Sequence, residues 1–174
     1  MGKNKTIRDT DHEALTLTGS LIANAMHAAL AAHDPSSTFP HISRIQLSTD
    51  VDGTIITLIS TLSAHTKCIV ANPRAALLIG EPGKGDPLAH PRISVPIVAT
   101  AVEHGSADYL RIRNSHLQHY PKAELYVDFG DFSFFKLTPQ SAALNGGFGK
   151  AYELSKEEVI EAIMTAKIEG KSDE

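Results

Sequence analysis

Residues 58–80 read LISTLSAHTKCIVANPRAALLIG, and the parsing of this stretch decides the fold. It opens and closes apolar, with Leu58-Ile59 ending one strand and Leu77-Leu78 lying inside another. Between them stand Ser60, Thr61, Ser63, His65, Thr66 and Lys67, six polar side chains in eight residues. A short helix that opens at Ser63 and closes before Pro73 fits this spacing, because proline disfavours helix in the residue before it. A helix N-terminus presents unpaired N–H groups and a partial positive charge, so hydroxyls and cations gathered there suit a phosphate. A plain serine cap with a solvated Lys67 fits the same spacing equally well.

Outward from that stretch the chain alternates short strands with helices. On the N-terminal side, Leu15, Ile22, Ala25, Met26 and Ala29 recur at helical spacing, which predicts a helix over residues 11–32 with Thr10 or Asp11 as its cap. Residues 42–48 alternate around Ile45 and Leu47, residues 55–59 are continuously apolar, and Asp50-Val51-Asp52-Gly53 between them is hairpin chemistry. On the C-terminal side, residues 81–91 hold three prolines and two glycines and read as a loop. Residues 93–102 are β-branched at Ile93, Val95, Ile97, Val98 and Val102 and read as a long strand. Residues 107–118 predict a helix that stops near Pro121, and residues 132–137 a further strand. Ser155-Lys156-Glu157-Glu158 is a capping box for a final helix. Hairpin-linked strands with helices between and after them predict an antiparallel barrel with helical decoration.

Composition bounds the setting. A chain of 174 residues predicts a single domain, residues 1–174, large enough to bury a real core. A formal charge of −4 spread along the chain argues against nucleic acid as the main partner. No run of eighteen apolar residues is present, so no membrane span is predicted. MGKNKTIRDTDHE lacks the apolar centre of a signal peptide. The single Cys68 allows no internal disulfide and suits a reducing compartment, so the expected location is the cytoplasm.

Three further features bear on chemistry. Nine histidines invite a metal, yet only His116 and His119 stand at helical spacing, with no third ligand suitably placed, so no metal site is predicted. Arg92 heads the long strand as a second candidate cation. Asn145-Gly146-Gly147-Phe148-Gly149-Lys150 carries three glycines in four positions, which permits close backbone approach. It is no Walker-type phosphate loop, because no Lys-Ser/Thr pair follows at the required distance.

Taken in order, the motifs resemble the FMN-binding split barrels related to pyridoxamine 5′-phosphate oxidase, and among those the branch containing haem-utilisation proteins. Residues 39–43 (FPHIS) are similar to that family's strand entry, residues 58–66 (LISTLSAHT) to its central signature, and residues 72–78 (NPRAALL) to its following strand. Asp86-Pro87-Leu88 with residues 91–95 (PRISV), residues 119–123 (HYPKA), Asp131-Phe132 and residues 146–151 (GGFGKA) continue the match. The resemblance runs from the first helix to Lys150.

The resemblance implies a mainly β fold, a six-stranded antiparallel split barrel that works as a homodimer with a cofactor site shared between subunits. It implies FMN, with Ser43, Ser60, Thr61, His65, Thr66, Lys67 and Arg92 as cofactor contacts, and a flavin-dependent oxidoreductase acting on a small molecule. Ser43 and Ala64 fall where the oxidases carry arginine, so weaker phosphate binding is expected, and Cys68 falls where this branch carries asparagine. The alternative the branch implies is a haem-binding or haem-degrading protein of iron utilisation. Haem-degrading members ligate iron through a histidine near the C-terminus, and no histidine follows His119 here. A third reading is a barrel without cofactor, acting as a dimeric module.

Overall fold

The computed structural model describes residues 7–170. Residues 1–6, within the N-terminal stretch MGKNKTIRDTDHE weighed above, and residues 171–174 lie outside it. Helix α1 (His12–Ala23) starts where Asp11 Oδ1 accepts the Ala14 N–H at 2.8 Å, and it ends at Asn24. The expected helix to residue 32 is therefore too long. His27–His33 is strand β1, with Ala28, Leu30 and Ala32 buried on one face. Alanine favours helix, but β1 is paired on both sides, and two ladders outweigh a propensity of a few tenths of a kcal/mol per residue.

Strands β2 (Pro40–Gln46), β3 (Ser48–Thr49) and β4 (Ile55–Ser60) follow, and the turn between the last two is the one read from Asp50 to Gly53, with Gly53 at φ 79°. Helix α2 (Ala64–Ala71) leads to β5 (Arg74–Ile79) and then β6 (Arg92–Ala101). Helix α3 (Ala107–His119) stops before Pro121, as expected. Strands β7 (Phe132–Pro139), β8 (Ser141–Asn145) and β9 (Ala151–Ser155) precede α4 (Lys156–Gly170). The capping box is formed: the Ser155 N–H donates to Glu158 Oε2 at 2.7 Å, and the Glu158 N–H to Ser155 Oγ at 3.2 Å.

All ladders between these strands are antiparallel, in the order β2-β1-β5-β6-β7-β4-β3. Only Leu47 separates β2 from β3, so the two ends of this order are one interrupted strand and the sheet curls until its ends meet. Thr57 Oγ1 donates to the Gln46 carbonyl at 2.7 Å on that seam. Six strands thus surround the barrel when 40–49 counts as one, in agreement with the expected fold class. Beyond Gln46 the ladder with β4 is not made, and the barrel stands split between the Pro40 end of β2 and the Ser60 end of β4. The β8–β9 hairpin lies outside the six. The chain passes from β7 to β8 through Gln140, which bulges out of the ladder with β6, and the Gly-rich stretch of residues 145–150 supplies the turn of this hairpin.

The barrel is filled by Leu30, Ile45, Leu77, Ile93, Val95 and Leu137 among others, and α1 packs with α4 beside this core. A second cluster under α3 joins Ile56, Ile112, Tyr109 and Phe134. There His116 is fully buried, its Nδ1 2.9 Å from Ser48 Oγ, and burial pushes its pKa down to about 4. Among the described residues, no helix is long and apolar enough to cross a membrane.

Candidate functional site

Three of the quoted motifs, FPHIS, LISTLSAHT and Asp131-Phe132, meet at the split. The chain leaves β4 at Ser60, turns through Thr61 and Leu62, and enters α2, whose body packs against β1 and β2. On the β2 side, His41, Ser43 and Ile45 lie on the same face, and His41 Nε2 is 2.7 Å from Ser43 Oγ. His65, in the first turn of α2, is half-buried. Burial, and then the nearby His41, hold its pKa below the usual histidine value. The imidazole at the split is therefore neutral at pH 7, with a lone pair to offer.

The hydroxyls of this turn are engaged within the chain. Ser60 Oγ donates to Asp131 Oδ2 at 2.5 Å and accepts the Leu62 N–H at 3.1 Å. The Thr61 N–H donates to the Asp131 carbonyl at 2.7 Å. Thr66 is buried, and its Oγ1 donates to the Ser60 carbonyl at 2.6 Å. Ser63 stands at the N-cap but makes no side-chain cap bond, so the first amides of α2 lack the partner that a capping hydroxyl would supply. Lys67 and Thr61 are exposed at the mouth. Phe39 before β2, Leu62 in the turn and Val70 on α2 are large apolar side chains left in solvent.

Of the seven residues the sequence proposed, Ser43, Ser60, Thr61, His65, Thr66 and Lys67 thus belong to this one region. Arg92 does not join them within the chain. It sits at the first position of β6, opposite Asn145 of β8, while Ala101 at the far end of β6 faces Phe135 of β7. Nine residues of strand, about 30 Å along its path, separate the two ends. The guanidinium of Arg92 donates to the carbonyls of Leu88 and His90 at 3.0 and 3.3 Å, so it braces the 82–91 loop.

Two residues of the split were not singled out from sequence. His41 was quoted only within a motif, and its alternation with Ser43 along β2 was the available signal. Asp131 lies 71 positions from Ser60, and no local spacing connects them. Among the described residues no group of three or more metal-ligating side chains gathers. His116 and His119 are spent separately, on Ser48 and on the Ser115 carbonyl at 2.9 Å. Cys68 is buried, and that burial pushes its thiol pKa up.

Comparisons with known proteins complete the picture. No family model matches the chain. One solved structure shares 38% identity, covers 87% of this chain and 98% of its own, and superposes with a TM-score of 0.78. The chloroplastic heme oxygenase HOZ of Arabidopsis thaliana is 35% identical over 124 residues, which is 69% of this chain and 37% of that protein, so the chain spans little over a third of its length. A heme-binding protein from Mycobacterium smegmatis shares the fold at 24% identity and a TM-score of 0.78, over 87% of this chain and 62% of its own. So does a pyridoxinephosphate oxidase family protein from Clostridium acetobutylicum, at 12% identity and a TM-score of 0.64, over 86% of this chain and 99% of its own.

Proposed function

Because the chain belongs to the pyridoxamine 5′-phosphate oxidase-like split-barrel family, in the branch that contains haem-utilisation proteins, we propose that it binds haem at the split and serves haem breakdown. The observation that carries this reading is the half-buried imidazole of His65, kept neutral at the mouth of the split beside His41. A neutral imidazole is the form that ligates iron. A phosphate dianion wants cations and free donors, and here Ser60 and Thr66 spend their hydroxyls inside the chain and Arg92 lies elsewhere. The Asp131 carboxylate beside Ser60 adds a repulsive charge. The apolar rim of Phe39, Leu62 and Val70 suits a macrocycle, and the exposed ammonium of Lys67 suits a propionate. Haem supplies oxygen activation when bound, and the role assigned to this chain is to hold the iron through His65 and to screen the macrocycle with that rim. The 35% identity to a heme oxygenase supports the breakdown step.

FMN is the second reading, and one observation favours it. The first amides of α2 have no side-chain cap, which is the arrangement an anion would complete. A flavin there would make the chain a flavin-dependent oxidoreductase.

Titration separates the two readings. Hemin should give a saturable Soret shift with one equivalent per chain, and His65→Ala should weaken it at least about tenfold, while FMN fluorescence stays unquenched on adding protein. Stoichiometric FMN quenching without a Soret shift would replace haem by flavin. A Soret shift indifferent to His65→Ala would remove His65 as the ligand.

A further inference from the structure

The turn at residues 60–66 holds fewer free donors than its hydroxyls promise, and Asp131 is the reason. The register pairs Ser60, the last residue of β4, with Phe132 of β7, so Asp131 stands just past the end of that ladder. Ser60 has one hydroxyl proton and gives it to Asp131 Oδ2 at 2.5 Å. Only lone pairs remain at Ser60 Oγ, and one of them takes the Leu62 N–H at 3.1 Å. Thr66 likewise gives its single hydroxyl proton to the Ser60 carbonyl at 2.6 Å. Of the backbone donors, the Thr61 N–H goes to the Asp131 carbonyl at 2.7 Å and the Ser63 N–H to the Ser60 carbonyl at 3.1 Å. The amides of residues 64–66, the first turn of α2, have no capping side chain. A helix start open to an anion therefore lies one hydrogen bond from a carboxylate. Among the described residues no cation pairs with that carboxylate.

We propose that Asp131 selects the cofactor: its carboxylate turns a phosphate dianion away from the split and leaves a macrocycle held through its iron unopposed. The inference rests on the reading of the split as the cofactor site. A phosphate oxygen within hydrogen-bond reach of Ser60 Oγ would lie no more than about 5–6 Å from Asp131 Oδ2, two hydrogen-bond lengths away. Ser60 and Asp131 are both partly buried, and like charges at that distance repel more strongly than they would in water. Asp131 thus acts twice against FMN. It takes the hydroxyl proton that a phosphate would need, and it sets a like charge beside the open amides. Haem asks neither thing of the turn. Its iron faces His65, and its propionates are single charges on flexible arms that can reach Lys67 or water. Selectivity of this kind comes from repelling the competitor, with no added contact to the favoured ligand.

Riboflavin and FMN differ only in the phosphate, and paired titrations of the full chain by flavin fluorescence test the proposal. The wild type should bind FMN within about threefold of riboflavin. Asp131→Asn keeps the shape and an acceptor for Ser60 but removes the charge. It should tighten FMN at least about tenfold and leave riboflavin within about threefold of wild type. Ser60→Ala keeps the carboxylate and should bring FMN no gain. Circular dichroism and thermal unfolding check that both variants are folded. A wild type that prefers FMN to riboflavin by more than about threefold overturns the proposal, whatever the variants do. So does an Asp131→Asn gain that falls short of tenfold or that riboflavin shares, and so does a gain in Ser60→Ala. Hemin enters none of these titrations, so a missing Soret shift would refute the haem reading and leave this comparison standing.

Discussion

Protonating His116 should destabilise the protein, and the size of the effect follows from its surroundings. The ring has no solvent exposure, and its Nδ1 is engaged with Ser48 Oγ. Its Nε2 is buried without a partner, and the ring lies against Tyr120 and Phe134. An imidazolium there would carry a charge in apolar surroundings with one N–H unmet. Burial depresses the pKa from 6.5 to about 4, so over that window the unfolded chain binds a proton that the folded chain refuses. The stability held by the neutral ring is complete above the unfolded pKa and is lost as pH falls toward the folded one. By linkage the loss is about 1.4 kcal/mol at pH 5.5 and about 3 kcal/mol at pH 4. Other groups titrate in the same range, so the measurement is a difference. Urea unfolding of the wild type and of His116→Gln, at intervals from pH 7 down to 4, gives two stability curves. The gap between them should shift against the wild type by those amounts on acidification. Parallel curves would show that His116 is not the buried neutral base described.

Three further outcomes are expected. Gly19→Ala should destabilise by about 1–3 kcal/mol in urea unfolding, because the added Cβ would lie 2.2 Å from the Ala162 carbonyl oxygen on α4. A gain in stability, as for an ordinary helical glycine, would refute that close approach. Thr66→Val keeps the shape but leaves the Ser60 carbonyl without its 2.6 Å donor, and thermal unfolding should report a loss of about 1–3 kcal/mol. Ser155→Ala opens the capping box of α4 at a cost of about 0.5–2 kcal/mol, read as a lower urea midpoint with an unchanged m-value.

The readable parts of the chain were those whose signal is local. Asp50 to Gly53 needs only the positive φ of one glycine, and Ser155 with Glu158 is a reciprocal pair within one turn. The misread parts depend on distant chain. The alanines of β1 carry a helical pattern, and only pairing with β2 and β5 makes them a strand. Strands β8 and β9 flank the Gly-rich turn and are too short to stand out, yet β8 is held by β6, about fifty residues earlier. At the split, the gathering of six of the named residues in one region was legible because one turn carries most of them. The engagement of Ser60 by Asp131 and the removal of Arg92 to the other end of β6 were not, since both are decided by which strands lie side by side.

Pro96 sits in the middle of β6, in the interior of the sheet, a position where proline is seldom tolerated. Its carbonyl accepts the Gln140 N–H at 2.9 Å, so the edge of the residue that lacks a donor points at the bulge between β7 and β8. If β7 and β8 slid along β6 by two residues, a regular rung would fall on Pro96 and its oxygen partner would be stranded. The proline therefore acts as a detent: its missing donor faces the bulge in the observed alignment and would face a regular rung in the neighbouring ones, so one imino acid favours a single resting place for a fourteen-residue run of chain.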